Sequence, residues 1–315
     1  MDLSLFVHLG VIISIYAILA VSLNLIMGVT GLFNIGHAAF YGIGAYTSAI
    51  LAKAGWPWFA AMLAGVFLAG AVAFVVGIPT LRLIGDYLAV VTMGLGEIAR
   101  AVFTNWLPVT RGPMGLPAIP HASLFGFQFN TAPRYLLLSI AALVIVYLLS
   151  QRIVHSPFGR VLKGIREDET ATQALGKNAY AFKMAILVIG SGMAGLAGSL
   201  FAHYITYIDP SSFVMWLTFF IFLIIMLGGL GNHLGAIVAT AVFVAFREGL
   251  RFVTLPAGLN PAALQQLLFG VLLIATTIFM PRGLIPERKV IYQGERKHAE
   301  SRGPDQGLRR PEGSQ

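Results

Sequence analysis

Apolar residues run along the chain in long unbroken blocks, separated by short polar or Gly/Pro-containing breaks. Taking about 20 residues per helical crossing, the blocks fall at 5–27, 31–52, 57–81, 87–107, 134–151, 182–205, 213–229, 234–250 and 262–280. The pattern predicts an all-α fold, a polytopic transmembrane helical bundle of about nine spans, with eight to ten as the range. Block 31–52 carries Gly31, Gly36, Gly42 and Gly44 and suits a re-entrant or broken segment as well as a full span. The membrane region is expected over 1–283. The polar tail 284–315 mixes charges with Gly and Pro, shows no apolar period and is expected to be disordered.

Small residues organise the block at 182–205. Gly190, Ala194, Gly198 and Ala202 recur every four residues beside Ser191, Gly195 and Ser199, a stripe on which another helix backbone can approach closely. The segment 22–46 differs. Asn24, Thr30, Asn34, His37, Tyr41 and Tyr46 interrupt lipid-compatible sequence, most with a glycine nearby. Broken helices at membrane depth occur where they line a cavity or are buried in protein, and their free N–H and C=O groups can bind the ends of a zwitterion. The plainer reading is a turn between two spans with Asn34 and His37 as caps. Segments 31–45 and 231–245 share only a Gly/Asn/His/Ala flavour.

Charge sets the expected orientation. Of the 21 Lys and Arg, six lie between Arg152 and Lys183 and eight between Arg282 and Arg310, and both blocks read as cytoplasmic. Four spans between them keep both inside, and five spans before Arg152 put the N-terminus outside. The N-terminus has an acid and no base before its first apolar run, so no cleavable signal peptide is expected. The net charge of +8 is thereby explained by topology and lipid proximity, with no nucleic acid required.

The chain of 315 residues is 57% hydrophobic and only 11% charged, with a mean hydropathy of +0.80, which excludes a soluble enzyme or free-standing binding module. Zero cysteines exclude disulfides, thiolate metal sites and thiol nucleophiles. The sequence has no phosphate-binding GxxxxGK[ST], HExxH or GxSxG, and its histidines are scattered singly, so no ATP site, metal or catalytic residue is expected in this chain.

Two further clusters stand out. In 82–100, Asp86 and Tyr87 open an apolar run containing Thr92; an acid there is a functional candidate, with helix N-capping as the ordinary role of Asp86. Glu97 and Arg100 have i, i+3 pairing spacing. In 152–183, Ser156-Pro157 predicts a capped helix with Val161, Leu162 and Ile165 on one side and Arg160 and Lys163 elsewhere. Glu167, Asp168 and Glu169 then start a second short helix that ends at Gly176. Two short helices at a membrane surface suit docking to a soluble partner; spacing alone leaves a solvated loop open.

The segments LNLIMGVTGLFNIGHAAFYGIGAY, GDYLAVVTMGLGEIAR, VTRGPMGLPAIP, SPFGRVLKGIREDETATQALG and LGGLGNHLGAIVAT resemble, in order, the permeases of branched-chain amino-acid ABC importers (the LivH/LivM family), the M-type more closely. The resemblance covers residues 20 to 286. It implies a permease in the bacterial cytoplasmic (inner) membrane that pairs with a homologous LivH-like permease, two cytosolic ATPase subunits carrying ATP and Mg, and an extracytoplasmic solute-binding protein. It further implies a coupling helix at Glu167 to Gly176, so that Arg160, Arg166, Glu167, Asp168, Glu169, Ala171, Ala174 and Gly176 become expected ATPase-coupling residues. Thr170-Ala171-Thr172 stands where many ABC importers have Glu-Ala-Ala. Asn24, Asn34, His37, Tyr46, Asp86, Tyr87 and Thr92 are expected toward the bundle interior, along the path. Leu, Ile and Val are the default solutes, with other amino acids, amides or urea as the alternative. An ion-coupled carrier is disfavoured by the scarcity of intramembrane acids.

Overall fold

A computed structural model describes residues 3–83, 85–124, 127–251 and scattered positions from 267 to 285. The block at 262–280 lies for the most part outside the described residues, as does the tail from 286 onward.

The described chain is a helical bundle. Helix α1 (Leu3–Leu23) continues into a π-helical turn, Asn24–Val29, and the chain then runs without helix to α2 (His37–Lys53). Next come α3 (Trp58–Thr80), α4 (Asp86–Asn105) and the single turn α5 (Leu107–Thr110). A short antiparallel pair, β1 (Ser123–Leu124) with β2 (Phe127–Gln128), precedes α6 (Ala132–His155). The short helices α7 (Pro157–Glu167) and α8 (Glu169–Ala174) lead to α9 (Ala179–Ile205), α10 (Met215–Gly228) and α11 (His233–Arg251).

Among the described residues, five helices are long and apolar enough to cross a membrane: α1 with its π turn, α3, α4, α6 and α9. Helices α10 and α11 qualify only as a pair, bent by 117° at 229–232. Phe243 packs edge-on against Phe220 at 4.7 Å, so α11 folds back beside α10. The two spans expected at 213–229 and 234–250 thus stand as two helices folded against each other at that bend.

The core forms where α2, α3 and α9 meet, and small residues make it possible. A β-carbon on Gly198 would lie 1.9 Å from the Tyr41 carbonyl oxygen, and one on Gly190 would lie 3.1 Å from the Ser22 carbonyl oxygen of α1. The small-residue stripe of α9 therefore seats α1 and α2 on the same helix, by backbone contact that larger side chains would prevent.

Segment 31–52, a non-helical stretch followed by α2, reaches from one end of the bundle to the other. Gly31 lies against Arg166, in the loop after α6, while the Lys53 ammonium donates to the Pro117 carbonyl at 2.6 Å, in the connection after α4. Its ends thus lie at opposite ends of the bundle. Residues 283–285 return to the loop end, where Leu284 N and Ile285 N donate to Leu227 O and Gly228 O. Opposite, His203 of α9 bonds Ser48 through Nε2 and the Pro120 carbonyl through Nδ1, holding the 107–130 connection on the bundle.

Candidate functional site

The non-helical stretch before α2 ends at a half-open cavity of about 540 Å³ between α2, α3 and α4. Aliphatic and aromatic side chains dominate its walls, among them Ile43, Leu68, Val72, Ile98, Val102 and Phe103. Asn34, Tyr46 and Thr92 also line it. The volume is within the range of about 300–1,000 Å³ typical of small-molecule sites.

Thr92 sets one end of this cavity. Its hydroxyl donates to the Ala89 carbonyl at 3.0 Å and accepts from the Ile35 amide at 3.1 Å, tying the approach of α2 to α4. Gly36 is required here, because a β-carbon would come 2.2 Å from the Thr92 carbonyl oxygen. The Asn34 side-chain oxygen accepts from Gly36 N at 3.1 Å, closing a turn before the helix and not capping it, since Gly36 is the N-cap of α2 and no side chain caps that end; the Asn34 Nδ2 is buried with no partner among the described residues. The Tyr46 ring stacks on Phe103 at 4.6 Å and its hydroxyl is likewise buried and unpartnered. An unsatisfied buried polar group costs about 1–3 kcal/mol. Both unpartnered groups belong to residues that line this cavity, at separate levels along it.

Of the residues expected inside, Asn24, Asn34, His37, Tyr46 and Thr92 are buried. Only three line the cavity. His37 is the first residue of α2, and its Nε2 bonds the Ser22 hydroxyl at 2.8 Å, a structural role. Asn24 straps α1 to the α10–α11 break: its Oδ1 accepts from Gly231 N at 2.9 Å and its Nδ2 donates to Asn232 O at 3.0 Å. Tyr87 does not fit the expectation. It is 75% exposed on the first turn of α4, outside the bundle interior. The capping role expected of Asp86 also shifts by one residue: Gly85, at φ 61° and ψ −128°, is the N-cap, and Asp86 is the first helical residue. Only glycine readily takes that backbone conformation, so the turn closes one position early. Glu97 and Arg100 pair at 2.8 Å.

Sequence reasoning attaches no role to Phe103, Thr218 or the Gly231-Asn232 pair. Thr218 accepts from the Ala38 amide at 3.0 Å and fixes α2 against α10. The glycine-rich GGLGN was visible as a break, but its partner, Asn24, is over 200 positions away.

The loop 152–183 forms the second candidate region. Ser156 caps α7 by accepting from Gly159 N, and Leu162 and Ile165 are buried, as the pattern requires. Asp168 caps α8 by accepting from Ala171 N at 2.9 Å, and Gly176 ends that turn at φ 76°. Two expected docking residues face inward instead. Arg166 donates to the Gly28 carbonyl, and Glu169 pairs with Lys183 of α9. Each charge is drawn to a partner on the bundle, which spacing along the loop cannot show. Arg160, Glu167, Asp168, Ala171, Ala174 and Gly176 remain exposed, with Leu175 at 81%.

A family model described as "Branched-chain amino acid transport system / permease component" matches residues 5–277. The chain is 34% identical over 306 residues to the high-affinity branched-chain amino acid transport system permease protein LivM of Escherichia coli (strain K12), covering 89% of this chain and 70% of the relative. It is 31% identical to the probable branched-chain amino acid transport permease protein LivM of Methanocaldococcus jannaschii, over 73% of this chain and 70% of that one. Identity to the permease protein LivH of Escherichia coli (strain K12) is 25%, over 88% and 93% of the two chains. No solved structure matches.

Proposed function

The chain belongs to the family of branched-chain amino acid transport system permease components, and from that premise we propose that it is the membrane-spanning subunit of an ATP-driven, binding-protein-dependent importer. It moves Leu, Ile and Val across the bacterial inner membrane by alternating access. ATP and Mg belong to two cytosolic ATPase subunits, which dock on 152–183, and a LivH-like permease completes the membrane unit. An extracytoplasmic binding protein delivers the solute. The N-terminus is outside and about nine crossings are made, the stretch 262–280 supplying the last.

The observation that carries this reading is the cavity beside α2. Its aliphatic walls suit a branched hydrocarbon side chain, and the unpartnered Asn34 Nδ2 and Tyr46 hydroxyl, at separate levels, suit successive contacts with the polar end of an amino acid along the path. Urea or a small amide would leave the apolar wall unused. Uptake into proteoliposomes holding the whole complex tests it, with radiolabelled leucine, isoleucine, valine and urea compared. Asn34→Ala is expected to reduce leucine uptake far more than it reduces the protein inserted. Preferred urea uptake, or parallel loss of uptake and inserted protein, would count against the reading.

A further inference from the structure

Arg166 sits in the middle of the region expected to dock the ATPase, yet its guanidinium is turned toward the membrane body. Its Nη1 donates to the Gly28 carbonyl, in the π-helical turn at the end of α1. That carbonyl is open to it for a local reason. The Leu32 amide, which would reach Gly28 in a continued α-helix, bonds Ile26 O at 3.3 Å instead. The Arg166 stem also lies on Gly31, at φ 76°, where a β-carbon would come 3.1 Å from Arg166 Cγ.

The opposite side of Gly28 is equally occupied. A β-carbon there would lie 2.0 Å from Asn24 Oδ1 and 2.4 Å from Gly231 N, and those two atoms are hydrogen-bonded to each other. Asn24 Nδ2 holds Asn232 O in turn. One short stretch of irregular backbone is thus gripped by the loop helix α7 on one side and by the α10–α11 break on the other. Such π-helical turns are uncommon and concentrate at functional sites.

We propose that Arg166 is a transmission latch, a positioning residue that ties α7 to the Gly28 turn and, through Asn24, to the break at 229–232. Displacement of the loop is then passed to two irregular backbone segments at once and is not absorbed by a flexible connection. The proposal rests on the reading of 152–183 as the ATPase-facing loop, and separates two functions within it: exposed Ala171, Ala174 and Leu175 dock, while Arg166 transmits. A shared pair of hydrogen-bonded contacts is a physical link, and coupling through it is measurable.

The test uses the complete reconstituted transporter and compares Arg166→Gln with Arg166→Lys, reading solute delivered per ATP hydrolysed and, separately, ATPase co-purification. Arg166→Gln is expected to keep the ATPases bound and hydrolysis running while solute per ATP falls about tenfold, the scale of one lost charge-assisted hydrogen bond. Arg166→Lys, which keeps a charged donor, recovers part of that loss. Asn24→Ala added to Arg166→Gln lowers the ratio no further, because both act on one link. An unchanged ratio in Arg166→Gln overturns the latch. So does loss of ATPase association, which would make Arg166 a docking contact, and so does failure of Arg166→Gln to accumulate in the membrane, which would make it a folding contact. Ala174→Arg distinguishes failure of the underlying reading, since it perturbs docking and leaves the latch intact.

Discussion

Gly44 of α2 and Gly195 of α9 approach so closely that a β-carbon on Gly44 would lie 2.1 Å from the Gly195 carbonyl oxygen. The two helices meet backbone to backbone, and the atom in the way cannot rotate aside as a side-chain tip would. Gly44→Ala is therefore expected to destabilise the bundle by about 3 kcal/mol, the upper end of overpacking costs. Thermal unfolding in detergent checks this. Gly94→Ala serves as the control, since nothing lies within 4 Å of a β-carbon there, and its melting temperature should not fall. Equal behaviour of the two variants would show that the helices separate easily.

The cavity offers a cleaner separation of fold from function at Tyr46. Its hydroxyl has no partner, while its ring carries the packing on Phe103 and Phe213. Tyr46→Phe removes the hydroxyl and keeps the ring, so stability should hold or rise, by about 1 kcal/mol at most. Leucine uptake should fall about tenfold if that hydroxyl meets the solute. Unchanged uptake at unchanged stability would take Tyr46 off the path.

Much of this arrangement is legible in the sequence wherever the cause is local. The Ser156 cap and the small-residue stripe of α9 depend on neighbours a few positions away, and both stand as the pattern predicts. The inward turns of Arg166 and Glu169 are not legible, because their partners Gly28 and Lys183 come from other elements. Tyr87 fails for a related reason: its residue type marks α4 as unusual but cannot say which face meets this chain. The weak likeness of 31–45 to 231–245 has a structural counterpart. Each break ends at a helix that begins with histidine, His37 or His233. The asparagine contacts differ: Asn34 accepts from Gly36 N ahead of α2, whereas Asn232 accepts from Gly235 N within the first turn of α11, so the likeness does not extend to the capping geometry.

Contacts within the chain define two ends of the bundle, and the proposed topology sets one inside and the other outside. Gly31, Arg166, Asn24 and Gly231 gather at one end, and Lys53, Pro117, His203 and Pro120 at the other. The chain has no cysteine, so single replacements report cleanly. Leu175→Cys should react with a membrane-impermeant maleimide only after the inner face is opened, and Trp56→Cys should react from outside in intact cells. Both side chains are exposed, so neither change disturbs packing. Labelling of both from the same side would refute placement of the two ends on opposite sides of the membrane.

Docking is best tested at Ala174. The residue is exposed at the end of α8, beside Ala171 and Leu175, and none of the three supports the fold of the chain. Small and aliphatic side chains in a row, preceded by the exposed acids Glu167 and Asp168, can enter an apolar groove on a partner while the acids fix its orientation. Because Asp168 caps α8 and Lys183 holds Glu169, the helix should persist when Ala174 is changed. Ala174→Arg would then drive a long charged side chain into the groove, a desolvation cost of several kcal/mol and so a large loss of affinity. The permease is expected to reach the membrane at its normal level and to lose ATPase co-purification, or to retain the ATPases with hydrolysis no longer stimulated by the binding protein. If Ala174→Arg keeps both association and stimulated hydrolysis linked to uptake, α8 lies outside the ATPase interface.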